Sequence, residues 1–256
     1  MLRTRIIPCL LLRNKSLVKT VRFGKFDYIG DPANTCRIFN ELEVDELAFL
    51  DITASIEKRE PNFDTLSEIA DECFMPLSYG GGIVSVKSAC RVLQLGFEKI
   101  ILNTSAIRNP ELIKQISKEF GAQSVIVSID VKNSLFGKQT CRGMSGRLNS
   151  GTSPGDWARK MQDYGAGEIL LTSIDREGTW GGYDLDLIRS VTKVVDIPVI
   201  ANGGAGSVED IAEAVKKGNA SAVALGSMVV YQKKGMGVLV NFPEKSIIQG
   251  CSLVKY

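Results

Sequence analysis

The chain has 256 residues, 44% of them hydrophobic and 23% charged, enough to bury a large core and ordinary for a globular protein. A net charge of +2 gives no reason to expect nucleic acid or an anionic membrane as partner, and no apolar stretch reaches the roughly 18 residues of a membrane span. There is no histidine, which excludes a serine-type triad and a histidine-bearing metal site and leaves acid–base chemistry to carboxylate, lysine, tyrosine or cysteine.

The chain opens with MLRTRIIPCLLLRNK. Its apolar run 6–12 is short, broken by Pro8 and followed by no small-residue cleavage site. It reads as a buried strand over 5–11 of a cytoplasmic protein, not as a signal peptide. Further strands are expected over 45–51, 75–80, 99–103, 124–130, 168–173, 197–202 and 220–226. Helical patterns fill the intervals near 31–42, 63–73, 85–95, 110–120, 154–164, 185–194 and 207–217. This alternation predicts a parallel sheet with right-handed crossovers, which a doubly wound sheet satisfies as well as a barrel. Residues 132–152 read as a long polar connection suited to a substrate loop. Residues 231–256 carry Gly235, Gly237, Pro243 and Gly250, so no long regular final helix is expected. Cys9, Cys36, Cys73, Cys90, Cys141 and Cys251 are scattered without a CxxC pair and read as reduced thiols, not as a disulfide framework or a zinc site.

An internal repeat decides between the two architectures. At a shift of 122 positions Asp45-Glu46-Leu47 falls on Gly167-Glu168-Ile169, and Met75-Pro76-Leu77 falls on Ile197-Pro198-Val199. Gly81-Gly82 falls on Gly203-Gly204, Ser85-Val86 on Ser207-Val208, Gly96 on Gly218 and Ser105 on Ser227. Two four-stranded units with open edges bury those edges by closing on one another, which predicts a single α/β fold, a (β/α)8 TIM barrel. Its half-barrels fall near 1–122 and 123–256.

Chemistry in such a barrel sits at the carboxyl ends of the strands. Two glycine clusters lie there, Gly80-Gly81-Gly82 and Gly203-Gly204, each ahead of a helix opening at Ser85 or Ser207. Glycine lets an anion approach the backbone amides, and a helix N-terminus favours its charge. Tight turns needing positive φ are the other reading. Duplication of both clusters, with Asn103-Thr104-Ser105 and Gly226-Ser227 after the next strands, points to two phosphate sites. Asp51 and Asp130 end their strands where functional carboxylates are expected, with loop bracing as the alternative. At a shift of 119, Leu11 stands opposite Asp130.

The runs RIIPCL, GDP, VDEL-x-FLDITAS, PL-x-YGGGI-x-SV, GAGEILLTSIDREGT, GGYDLDLIR and PVIA-x-GGAGS cover nearly the whole chain. Together they resemble the cyclase subunit of imidazole glycerol phosphate synthase. The resemblance implies a duplicated barrel binding a bisphosphate substrate, with a glutaminase subunit docked on the N-terminal face. Ammonia from the glutaminase crosses the barrel and cleaves the substrate to imidazole glycerol phosphate and an aminoimidazole ribotide. Matched position by position, it implies an ammonia gate of Arg5, Glu46, Lys99 and Glu168, and a catalytic role for Asp130. It places Lys19 and the positions of Glu177 and Asn202 at the substrate, and phosphate binding at Gly82, Asn103, Thr104, Gly204, Gly226 and Ser227; Asp51, Thr172, Gly81 and Gly203, at the same strand ends, complete the candidate substrate site. No metal or organic cofactor is implied.

The sequence departs from the pattern at Leu11, where the family has its other catalytic aspartate, at Glu177 for aspartate and at Asn202 for serine. Two readings follow. One is a working cyclase of histidine biosynthesis. The other is a paralogue that keeps the glutaminase dock but passes ammonia to a sugar-amidating enzyme. The leucine-bearing IIPCLLL start resembles proteins linked to surface-polysaccharide clusters, and loss of one acid–base partner, worth about 10²–10⁴-fold, favours that second reading. A related sugar-phosphate isomerase is a weaker third, since that chemistry also needs a carboxylate on the first strand.

Overall fold

The computed structural model describes residues 4–134 and 137–243; Gly250 and Cys251 lie outside them. Strand β1 (Arg5–Arg13) runs into an antiparallel hairpin of β2 (Ser16–Thr20) and β3 (Phe26–Gly30), then helix α1 (Pro32–Glu41). There follow β4 (Leu47–Asp51), α2 (Ala54–Glu57), α3 (Phe63–Asp71), β5 (Leu77–Gly80), α4 (Val86–Gln94), β6 (Lys99–Leu102), α5 (Thr104–Arg108) and α6 (Glu111–Phe120). Strand β7 (Val125–Asn133) continues into the antiparallel β8 (Gln139–Gly143) and β9 (Leu148–Asn149). The chain then forms α7 (Pro154–Asp163), β10 (Glu168–Ser173), α8 (Leu185–Thr192), β11 (Val199–Asn202), α9 (Val208–Lys216), β12 (Ala222–Leu225) and α10 (Ser227–Val230).

Eight parallel strands close in the order β1, β4, β5, β6, β7, β10, β11, β12, with β12 back on β1. The fold is a (β/α)8 barrel. Side chains alternate across each strand, so every second residue enters the barrel. On β1 the inward row runs Arg5, Ile7, Cys9, Leu11; on β7 it is Ile126, Ser128, Asp130; on β10 it is Glu168, Leu170, Thr172. Three layers result. Charged groups line the N-terminal end, a dry layer containing Ile7, Ala48, Ile101, Ile126, Leu170, Ile200, Ala222 and Ala224 fills the middle, and polar groups line the mouth. The outward rows, such as Val125, Val127, Ile129 and Val131, bury against the helices.

The helices begin where the sequence supplies a cap. Asp31 caps α1 with Pro32 in its first turn, and Ser153 caps α7 ahead of Pro154. Ser85 and Ser207 cap α4 and α9 in matching capping boxes. Among the described residues no helix is long and apolar enough to cross a membrane.

Residues 132–152, read as a long polar connection, contain a hairpin: β7 continues to Asn133 and pairs with β8, Asp130 opposite Arg142 and Val131 opposite Cys141, and Ser145 and Arg147 line the mouth. Backbone pairing is indifferent to the polarity that marked the segment as a connection. The β2–β3 hairpin was also not foreseen. It is the counterpart of the β8–β9 hairpin, each extending the first strand of its half of the barrel. After α10 the described chain carries one isolated bridge, Tyr231 with Val238.

Candidate active site at the barrel mouth

A cavity of about 490 Å3 opens at the carboxyl ends of the strands. Asp130 reaches it from β7 and Leu11 from β1, and the strand order places these two strands on opposite sides of the barrel. Asp130 is buried, takes a hydrogen bond from Ser128 Oγ at 3.0 Å and has the Thr172 hydroxyl beside it. Thr172 Oγ1 in turn accepts from Asn202 Nδ2 at 3.0 Å, so a chain of donors runs from β11 through β10 to the carboxylate. Burial pushes the Asp130 carboxyl up to about 6, the two hydroxyl donors opposing it. A carboxyl of that acidity is matched to proton transfer near neutral pH. Across the cavity stand Leu11, Leu50 and Ala224, none of which can exchange a proton. Burial lifts the Cys9 thiol to about 12, so Cys9 is neutral at physiological pH and is no thiolate nucleophile.

The glycine loops flank this axis. Gly82 has φ +70°, and a Cβ there would sit 2.5 Å from Arg59 O; Gly204 has φ +115°, and a Cβ there would overlap Gly182 O. Both glycines are therefore required by the backbone itself, whatever binds, and an aspartate at either position tests folding before it tests phosphate. The loops after β5 and β11 lie on opposite sides of the mouth, as do their partners after β6 and β12. Gly81, Gly203, Gly226 and Ser227 line the same cavity. Thr104 Oγ1 accepts from Met144 N at 2.9 Å. Asn103 spends its amide on Ser128 O (3.0 Å) and Arg142 O (3.1 Å), which pins the β8 hairpin to the mouth.

Two expected site residues line the cavity and are already paired with protein groups. Asp51 accepts from Thr53 N (3.1 Å), Ala54 N (3.0 Å) and Arg59 Nη2 (2.9 and 2.8 Å), so it caps α2 and braces the loop below Gly81. Glu177 is ion-paired with Lys19 and accepts from Phe23 N at 3.2 Å, tying the β2–β3 hairpin across the mouth to the loop after β10. The Lys19 stem packs against Gly226, where a Cβ would meet Lys19 Cε at 3.0 Å.

Residues that the sequence reading passed over also line the cavity: Cys9, Arg13, Lys25, Ser128 and Arg147. Arg13 lies 3.8 Å from the centre of the Phe26 ring. Ser128 was within reach of a period-two argument, two residues before Asp130 on one face. Lys25 and Arg147 reach the mouth on the two hairpins.

At the opposite end, Arg5 bonds Glu46 (2.8 Å) and Glu168 (2.7 Å), and Lys99 bonds the same pair (3.1 and 2.9 Å). The four form a closed ring of alternating charge at the N-terminal face. Above it is a space of about 10 Å3, about that of one water, bordered by Glu46, Ser78, Ile101 and Ala224. Ile101 and Ala224 line the mouth cavity too, so the partition between the two spaces is thin there.

The profile of the family described as "Histidine biosynthesis protein" matches residues 5–235. The chain is 45% identical over 244 residues to a Pseudomonas aeruginosa protein provisionally named imidazole glycerol phosphate synthase subunit hisF2, covering 95% of this chain and 97% of that one. It is 44% identical over 247 residues to a Vibrio vulnificus protein provisionally named subunit hisF3 of the same synthase, covering 96% and 95%. It is 42% identical over 233 residues to the imidazole glycerol phosphate synthase subunit HisF of Alkaliphilus metalliredigens, covering 91% and 92%.

Proposed function

The chain belongs to the HisF family of imidazole glycerol phosphate synthase subunits, and on that premise we propose that it adds ammonia, supplied by a glutaminase subunit on its N-terminal face, to a substrate bearing two phosphates. The observation that carries the reading is Asp130, a buried carboxyl raised to about 6 at the centre of a mouth flanked by two opposed glycine loops. One phosphate lies by Gly81, Gly82, Asn103 and Thr104, the other by Gly203, Gly204, Gly226 and Ser227. Lys19 stands beside the second. The two sites belong to duplicated half-barrels, near 1–122 and 123–256. Asp130 moves the proton, oriented by Ser128 and Thr172. The ring of Arg5, Glu46, Lys99 and Glu168 gates ammonia entry, and the small space beneath Ile101 lies on its route. The relatives' names favour the cyclase reaction of histidine biosynthesis.

Leu11 favours a second reading, in which the barrel keeps the glutaminase partner but its ammonia serves another acceptor, a sugar amidated for surface polysaccharide. One assay separates the two. The purified chain is incubated with the cyclase substrate and an ammonium salt at alkaline pH, and substrate loss is followed spectroscopically. Turnover of roughly 1 s⁻¹ or more assigns it to the histidine pathway. Absence of turnover with substrate still bound assigns it to the second. In that case Leu11→Asp, which restores a carboxylate opposite Asp130, should raise activity by at least tenfold if the rest of the mouth is intact.

A further inference from the structure

The six cysteines are far apart in sequence, yet folding brings two of them together on the outside of the barrel. Cys36 is fully buried on the inner face of α1, and Cys73, half-buried, lies just beyond the end of α3. Each thiol perturbs the ionisation of the other, and Cys73 Sγ donates to Met75 O at 3.6 Å.

The contact is held by the residues on either side. Arg37, next to Cys36, grips the carboxylate of Glu72, next to Cys73, with Nε–Oε2 at 2.6 Å and a second bond from Nη2. Asn40, one helical turn beyond Cys36, donates to Glu72 O at 2.6 Å and accepts from Phe74 N at 3.2 Å. The turn over 72–74 is thus clamped to α1 by four hydrogen bonds around the sulfur pair. The contact with Cys36 also lowers the Cys73 thiol from its ordinary range, which favours the reactive form at the more accessible sulfur.

We infer that Cys36 and Cys73 form an oxidation-sensitive dithiol that closes to a disulfide by exchange with a small-molecule disulfide. The Cys73 thiolate attacks that disulfide, forms a mixed disulfide and releases one small thiolate. The Cys36 thiol, losing its proton to solvent, then attacks the Cys73 sulfur and expels the second small thiolate. Two protein thiols are oxidised and one small disulfide is reduced to two thiols. The bond staples α1 to the turn that feeds β5 and, through it, the first glycine loop.

The test treats the intact native chain with oxidised glutathione, alkylates the remaining thiols and maps the peptides by mass spectrometry. The expected result is a chain lighter by two hydrogens, with the Cys36 and Cys73 peptides joined and the melting temperature raised by roughly 5–10 °C. Under the same treatment Cys36→Ser should keep glutathione on Cys73. A lasting glutathione adduct on Cys73 in the unsubstituted chain, a bond mapped to another pair, or no reaction at all would overturn the inference. The map of the unsubstituted chain decides even if Cys36→Ser fails to fold.

Discussion

The proton transfer proposed at the mouth rests on the surroundings of one carboxyl. Burial raises Asp130 from about 3.8 to about 6, so its ionised form is less stable in the folded chain than in the unfolded one. Below pH 4 the group is protonated in both states and imposes no penalty. The penalty grows as pH rises through the interval from 4 to 6 and is full above it. Asp130→Asn should therefore match the parent at pH 4 and exceed it in stability by up to about 3 kcal/mol at pH 7, read from urea unfolding at the two values. Equal stability at both would mean the carboxyl is far better solvated than its burial indicates. Much of this site follows from strand periodicity alone. Once β1, β7 and β10 are placed, their inward rows bring Leu11, Asp130 and Thr172 to one level and Arg5 and Glu168 to another. What periodicity cannot convey is how the polar groups are spent. Asp51 looked as available as Asp130, and only the position of Arg59 and the amides of α2 show it to be occupied.

The elements divide into those written locally and those made by tertiary pairing. Helices α4 and α9 were legible from Ser85 and Ser207, because a cap and the apolar face behind it lie within a few residues. Replacing either serine with alanine should cost about 1 kcal/mol. The helices follow β5 and β11 on opposite sides of the barrel and share no contact, so the double variant should lose about 2 kcal/mol in chemical denaturation, the sum of the singles. A shortfall would reveal coupling between the halves. The two hairpins were not legible, since β2, β3, β8 and β9 have two to five residues each and gain their order from the barrel strand they extend. Their ties are likewise remote in sequence: Lys19 to Glu177, Asn103 to Arg142 O, and Ser145 Oγ to Ile52 O at 2.7 Å.

For the whole molecule, the internal repeat announced a closed barrel more plainly than any single strand, because only closure satisfies two open-edged units at once. The ring at its N-terminal end then ties β1, β6 and β10 to the residue before β4. Lys99→Met leaves Glu46 and Glu168 with Arg5 as their shared cation and should destabilise the fold by about 3 kcal/mol. Urea unfolding would show it, and an unchanged midpoint would mean that Arg5 alone satisfies both carboxylates. The same scaffold carries a consequence for ligand orientation. A near-twofold cradle offers a ligand with similar ends two ways to lie, related by half a turn. With carboxylates on both sides, either would react. With Leu11 facing Asp130, one orientation presents the reacting carbon to aspartate and the other presents it to hydrocarbon, occupying the cradle without reacting. Such idle occupancy depresses kcat and KM by the same factor and leaves kcat/KM untouched.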